Sequence, residues 1–424
     1  MRFSVGVNYW PRSSAMAMWR RFDAGEVRDD FAHIASLGVD TVRFFLRWED
    51  FQPRADEIDS TMLDRLQTFV TLAADHGLQT MPTLCNGYNS GVNWLPVWSL
   101  DEHTRGIRNL YSGQLLDAQL LFANAVASRL HQHPAVYAWD IGHAFTNVCE
   151  PPRGKRATGG HETEPVAERE VAEWGRRLTS ALAHRVKLPV TAGTFIGDVT
   201  EDRNLRLGTL CAPFAFASMQ GSSLYAAFAR NRLDPEVVPF LAMIAAAFSF
   251  KPVLVTGVGN PTCPPLKLSI FERFPLPNET QQYVSPDDPL FATYPCLTEE
   301  ENAVYCTSVL ERLHADGRLG AYWWCWADFA DELSDQPPFD RAPYQRSFGI
   351  IRSDGTEKPV AAALRAFARE QREVVAAEDM PMISSAYYYR TLPKSSQTLY
   401  EAYLGFIEER RGKTANTKTG EASH

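Results

Sequence analysis

Short runs rich in Val, Ile, Leu, Phe and Trp alternate with longer stretches of helical period. This alternation predicts an α/β fold, a (β/α)8 TIM barrel with long C-terminal-face loops and a short C-terminal helical appendix. Two further observations favour a closed barrel over an open doubly wound sheet. Eight strand-helix units spread over about 370 residues suit a barrel with insertions, and no G-x-G-x-x-G fingerprint of a dinucleotide fold occurs.

The expected strands, in order, are 4–9, 41–48, 79–85, 136–141, 189–194, 214–219, 252–256 and 320–326. The first helix, 27–37, stops at Gly38, and the second, 60–76, stops at Gly77. Ser60 opens the second helix without a capping box, because Leu63 stands at the third position. Helices 113–131 and 166–185 follow strands three and four, and the short segment 200–211 after strand five leaves its helix undecided. Helix 235–247 lies in the longest apolar stretch, which carries Pro239 and is too short to span a bilayer. The run 298–315 opens on Thr298 with Glu301 three residues on, a capping box, and stops at Gly317; helix 360–373 closes the barrel.

The expected domains are a barrel over 1–375, an appendix over 376–410 docked on it, and a disordered tail over 411–424. Two long excursions, 86–112 and 258–297, fall on the face where barrels build ligand sites. A polar insert, 150–164, is expected to be mobile.

A content of 45% hydrophobic and 22% charged residues is that of a soluble globular protein. The balance of 42 Lys+Arg against 51 Asp+Glu disfavours nucleic acid and membrane surfaces as partners. The first strand-like run starts at Val5, which leaves no room for a signal peptide and predicts a cytoplasmic protein. Seven Cys without paired C-x-x-C spacing read as reduced structural thiols. His131 with His133, and His161 with Glu162, lack a second cluster, so neither a metal nor a cofactor is expected. There is no G-x-S-x-G elbow, P-loop or H-E-x-x-H.

Four motifs carry a resemblance: G-V-N-Y-W-P at 6–11, V-R-F-F-L-R-W-E-D-F-Q-P at 42–53, N-W-L-P at 93–96 and W-W-C-W-A-D at 323–328. With W-D-I-G-H-A-F-T-N at 139–147 and P-V-L-V-T-G-V-G-N-P at 252–261, they resemble clan-A glycoside hydrolases over roughly residues 3–372. Family 5 and related cellulase-like bacterial proteins are the most similar group.

The resemblance implies a general acid/base Glu at the end of strand four and a nucleophilic Glu at the end of strand seven. Retaining hydrolysis needs two carboxyls about 5 Å apart, one to protonate the leaving oxygen and one to attack the anomeric carbon. Aligned without gaps, those positions are Ala144 and Gly257, whose side chains can do neither. His143 replaces the Asn that would bind the sugar 2-hydroxyl, and Gln220-Gly221-Ser222 replaces an H-x-Y. Arg43, which in the family braces the nucleophile, and a platform at Trp323 or Trp324 remain. Without its carboxylate, Arg43 is expected to face a cavity and find partial partners in water, His143 or Gln220.

The substrate-binding candidates are Arg43, Trp48, Trp94, His143, Gln220 and Trp324, with Trp94 and Trp324 the preferred sugar-stacking pair. His143 is also a candidate acid or base near neutral pH, weighed against a packed or Arg-stacked role. Alternation places about half of the strand Trp residues in the core. The expected function is a catalytically inactive pseudoglycosidase with an oligosaccharide ligand, a protein partner or an active homologue beside it. One alternative is an active glycosidase or transglycosidase with relocated carboxylates, Glu49 or Asp328, with Asp50 and Asp140 as further carboxylates nearby. The other is a structural or assembly subunit.

Overall fold

The computed structural model describes residues 1–85, 88–90, 92–103, 107–148, 166–183, 187–262, 282–283, 294–295, 297–340, 342–377, 380 and 382–421. Nine parallel strands form a nearly closed barrel: β1 (Ser4–Tyr9), β2 (Thr41–Phe45), β3 (Gln79–Cys85), β4 (Trp139–Gly142), β5 (Val190–Thr191), β6 (Gly193–Phe195), β7 (Ala217–Gln220), β8 (Val253–Val258) and β9 (Gly320–Trp323). Their sheet order is β5-β4-β3-β2-β1-β9-β8-β7-β6, so the two ends are halves of one run of sequence. Trp139 and Asp140 pair with Val190 and Thr191, whereas Gly193, Thr194 and Phe195 pair with Ser218, Met219 and Gln220. The fifth expected strand therefore divides at Ala192 and serves both neighbours. A Cβ on Gly193 would lie 2.9 Å from the Gly142 carbonyl oxygen, so glycine stands where the chain changes partner.

Several expected strands are too long. β2 ends at Phe45, and Trp48–Phe51 is a one-turn helix whose Asp50 is held by Arg20 Nε at 2.6 Å. Val136 contributes only an isolated bridge to Thr80, and regular pairing in β4 begins at Trp139.

Alternation along the strands divides the core. Val5, Val7, Val42, Phe44, Trp139 and Ile141 point outward into the layer shared with the helices. Met81, Ala138, Phe216, Leu254 and Tyr322 form a separate cluster inside the barrel. Asn8 on β1, Arg43 on β2, Thr83 on β3 and Asp140 on β4 form the next layer toward the C-terminal face, all fully buried. The barrel interior is thus apolar and tyrosine-lined in one layer and polar in the next.

The helices are α1 (Ala24–Ser36), α2 (Ser60–Asp75), α3 (Gly113–Leu130), α4 (Glu168–Ala183), α5 (Val237–Ser249), α6 (Glu299–Ala315) and α7 (Pro359–Arg369). The N-cap of α2 is Asp59, whose carboxylate accepts from the amides of Thr61 and Met62. Thr298 and Glu301 form the expected capping box, and Gly38, Gly77 and Gly317 adopt the positive φ of helix stops. The undecided segment after strand five holds two single turns, Gly197–Thr200 and Leu207–Leu210. Among the described residues, no helix is long and apolar enough to cross a membrane.

The appendix comprises α8 (Ser385–Arg390) and α9 (Lys394–Glu421). Tyr388 and Tyr389 pack on Phe248, with ring centroids 5.1 and 5.9 Å away. Tyr400 packs on Phe240 at 4.9 Å and donates its hydroxyl to Asp234 Oδ2 at 2.7 Å. Arg410 reaches Asp316 at 3.1 Å and Arg411 reaches Glu236 at 2.7 Å. The tail expected to be disordered from 411 is instead helical as far as Glu421. Once the docked turns supply the nucleus, each further residue gains one backbone hydrogen bond for one pair of dihedrals fixed, and the unfavourable nucleation step is not repeated. The polar insert 150–164 and most of 258–297 lie outside the described residues.

Candidate functional site

The site at the C-terminal mouth grows out of the polar layer. Arg43, on the inward face of β2, is fully buried. Its Nε donates to Asp140 Oδ2 at 2.9 Å and its Nη2 to the same oxygen at 2.5 Å. Nη1 donates to Asn8 Oδ1 at 2.8 Å, and Nη2 to His143 Nδ1 at 3.1 Å. Asp140 also accepts from Thr83 Oγ1 at 2.9 Å and from the Gly142 amide at 3.2 Å. The expectation of an Arg43 without its carboxylate is therefore corrected: Asp140 on neighbouring β4 supplies the counter-charge. Asp140 is committed to this pair and to the strand-end amide, a structural task.

His143 follows β4 and is 5% exposed. Its ring stacks on Trp324, with centroids 5.6 Å apart and planes at 20°, and meets Phe45 edge-on at 5.2 Å. Burial first, and then the Arg43 charge, hold its pKa well below the usual 6.5. The imidazole is neutral, and Arg43, which can only donate, fixes Nδ1 as acceptor and leaves the proton on Nε2. This removes His143 as an acid near neutral pH and favours the packed, Arg-held role.

Ala144 is buried and takes a left-handed φ of 44°, which turns the chain from β4 into the 3-10 turn Phe145–Val148. That turn is fastened on all sides. Phe145 stacks on Trp174 at 5.2 Å, its carbonyl accepts from the Tyr111 hydroxyl, and Thr146 donates to Asp198 Oδ1 at 2.5 Å. On β8 the register slips between Val255 and Gly257, and the Thr256 carbonyl accepts from Asn8 Nδ2 at 2.9 Å. Gly257 pairs with Gln220, and a Cβ built on Gly257 would stand 3.2 Å from Gln220 Cβ. Gln220 thus covers the space above Gly257.

The other candidates separate into two groups. Trp324 and Trp94 keep part of their rings exposed; Trp94 donates to the Asn89 carbonyl at 3.0 Å and carries the Arg47 guanidinium 5.1 Å over its ring. Trp48 is 1% exposed, packs edge-on against Trp98 at 5.1 Å and donates to Gln52 Oε1 at 2.6 Å. It shapes the wall and presents no face, and the reason is that the one-turn helix Trp48–Phe51 rotates it inward. Trp10, Trp323 and Trp326 are likewise buried. Glu49 pairs with Arg47 at 3.1 Å and with Arg20 at 3.5 Å. Asp328 accepts from Lys358 Nζ at 2.7 Å and from the Gly349 amide at 2.8 Å. Two surface grooves, one along α2 at Asp64, Gln67 and Thr71 and one at Tyr111 and Arg169, involve none of these residues. Among the described residues, no group of three His, Cys, Asp or Glu side chains is placed to hold a metal ion.

Sequence reasoning missed Asn8, Thr83 and Asp198. The first two were detectable as polar residues at inward positions of alternating apolar strands. Asp198 stands in the one-turn helix Gly197–Thr200 and accepts from the Phe195 amide at 3.0 Å as well as from Thr146. Burial pushes its pKa to about 6, against the lowering effect of Arg203, Thr146 and the Phe195 amide. The folded protein therefore holds this proton more tightly than the unfolded chain. The stability contribution of Asp198 is fully present below about 3.8 and is lost as pH rises through about 6. Asp198→Asn, whose amide can serve both partners, is expected to flatten this decline, read as the difference in urea midpoint between pH 4 and 7. An unchanged pH slope would show that Asp198 is not the group responsible.

No protein-family model and no curated protein matches the chain. Solved structures do. A GH5_18 protein from Streptomyces cattleya, in complex with Manb1-4GlcNAc, superimposes with a TM-score of 0.76 at 20% identity over 96% of this chain and 92% of its own. The fold is that of a (β/α)8 glycoside hydrolase. A GH5_18 protein from Bifidobacterium longum subsp. infantis gives a TM-score of 0.69 at 21% identity over 89% of this chain and 81% of its own. An exo-beta-1,4-mannosidase from Opitutaceae bacterium strain TAV5 gives 0.68 at 23% identity over 87% of this chain and 60% of its own. The neighbours are clan-A glycoside hydrolases, and at these identities the likeness shows the barrel fold alone.

Proposed function

We propose that this protein is a glycoside-hydrolase-like barrel without retaining hydrolase chemistry, which binds an oligosaccharide at its C-terminal mouth. The observation that carries the reading is the rebuilt space around Gly257. Gln220 stands 3.2 Å from where a Cβ would be, and Arg43 takes its charge partner from Asp140 and not from residue 257. Ala144, at the end of β4, offers no proton donor either, so neither half of a carboxyl pair is present at these positions. The relocated-carboxylate alternative is weakened because Glu49 and Asp328 are both engaged by cations. The partly exposed Trp94 and Trp324 give pyranose rings an apolar surface. A disaccharide of the kind held by the Streptomyces cattleya neighbour is the first ligand to test. We assign the protein to the cytoplasm, in keeping with unpaired cysteines at 85, 211, 306 and 325.

Calorimetry against Manb1-4GlcNAc and an oligosaccharide panel, with products analysed in the same samples, tests this reading. The expected result is binding without products, weakened about tenfold in Trp324→Ala. Products lost in Glu49→Gln or Asp328→Asn would restore the hydrolase reading. Neither binding nor products would leave a protein partner as the ligand.

A further inference from the structure

The imidazole of His143 lies on the indole of Trp324, the ring on which a sugar would stack. Two further contacts hold it there. Phe45 meets the imidazole edge-on at 5.2 Å and Trp324 at 5.7 Å, so the three rings form one cluster. Arg43 Nη2 donates to His143 Nδ1 at 3.1 Å, and that guanidinium is fixed by Asp140 and Asn8. The ring is therefore tethered at one end and packed on two sides. An offset-stacked contact of this kind excludes any other ring from the part of the indole face that it covers. The geometry points to His143 as a plug that competes with the ligand for the inner face of Trp324 and so decides how deeply a sugar enters the barrel mouth. This rests on the glycan-binding reading and narrows it: the native protein engages sugar through the outer, exposed part of Trp324, and the floor of the mouth is closed to it.

The closure is built into the fold. The β4 end that carries His143 passes directly into the Phe145–Val148 turn, which is held by Trp174, Tyr111 and Asp198. The backbone around residue 143 thus has little freedom to withdraw the ring. Opening the floor requires changing the side chain. Removing the imidazole leaves Arg43 with Asp140 and Asn8, so its charge stays compensated.

The test compares wild type, His143→Ala and His143→Asn, each alone and combined with Trp324→Phe. Asn keeps an acceptor for Arg43, which safeguards the comparison if the Ala variant folds poorly. Two quantities are read: calorimetric affinity for Manb1-4GlcNAc, and acrylamide quenching of the fluorescence that disappears with Trp324. The expected result is a gain in affinity of about tenfold in the His143 variants, lost again with Trp324→Phe, together with stronger quenching of Trp324. If wild type binds the disaccharide and both His143 variants bind it equally or more weakly, the plug is overturned while the glycan reading stands. If no variant binds any sugar although Trp324 has become accessible to acrylamide, the glycan reading falls and the plug falls with it. Unchanged quenching in both variants would show that His143 does not cover the indole and would overturn the plug on its own.

Discussion

Arg43→Met is expected to lower unfolding stability by about 3–5 kcal/mol, because it leaves the fully buried Asp140 without a compensating charge. Asp140→Leu should cost a similar amount by stranding the guanidinium. The informative variant is the pair together. A buried ion pair exchanged for apolar side chains of similar size is often neutral in stability, so Arg43→Met with Asp140→Leu should recover most of the loss. Asn8, Thr83, His143 and the Gly142 amide would each still lack one partner, so recovery is expected to be incomplete by about 2–4 kcal/mol. Urea unfolding followed by tryptophan fluorescence gives all four values. Simple addition of the two single losses in the double variant would mean that the two side chains do not act as a unit. The same cycle bears on function, since an arginine already neutralised by Asp140 is not waiting for a carboxylate at residue 257.

The second large effect is expected at Lys358, whose side chain is 1% exposed. Its Nζ donates to Asp328 Oδ1 at 2.7 Å, to Thr262 Oγ1 at 2.8 Å and to the Ser347 carbonyl at 3.3 Å. One ammonium therefore joins the segment after β8, the loop after β9 and the start of α7. Lys358→Met should cost about 3–5 kcal/mol at pH 7. The loss should depend on pH in a definite direction. Burial already raises the Asp328 pKa against the lowering influence of Lys358, so without the lysine the carboxyl holds its proton to higher pH still. Protonation then removes the uncompensated charge, and the deficit relative to wild type should shrink as pH falls from 7 toward 5. Urea midpoints of both proteins across that range measure it. A deficit that stays constant with pH would show that Asp328 is not the group left exposed by the substitution. Asp328→Asn in the Lys358→Met background should likewise recover stability at pH 7.

Much of the barrel is readable from the chain because strand and helix periods are local properties. β1 and β3 fall on the expected residues, and Thr298 forms its capping box as the sequence indicates. The errors lie where tertiary partners decide the outcome. Nothing within 189–194 says that Val190 and Thr191 pair with β4 while Gly193 to Phe195 pair with β7. Nor does any local signal stop β2 at Phe45, since the apolar run continues; the turn into Trp48–Phe51 is held by Arg20, 30 residues earlier in the chain. In the site, the positions of Ala144 and Gly257 are visible from flanking motifs, but what fills the space around them is not. Asp140 could be placed near the mouth from sequence, yet its pairing with Arg43 is a contact between strands nearly a hundred residues apart. Trp48 lies beyond the end of β2, where strand alternation no longer assigns a face, and the one-turn helix buries it.

The Arg43–Asp140 pair has a consequence for how this molecule can change over time. Its charge balance is completed within the wall of the barrel, one layer beneath the mouth. Side chains above it, such as Gln220, Trp94 and Trp324, can be exchanged without disturbing that balance. Heritable variation at the mouth is thereby separated from variation that threatens folding. A library randomised at those three positions should yield mostly folded members, and ligand preference could be selected from it without a parallel selection for stability.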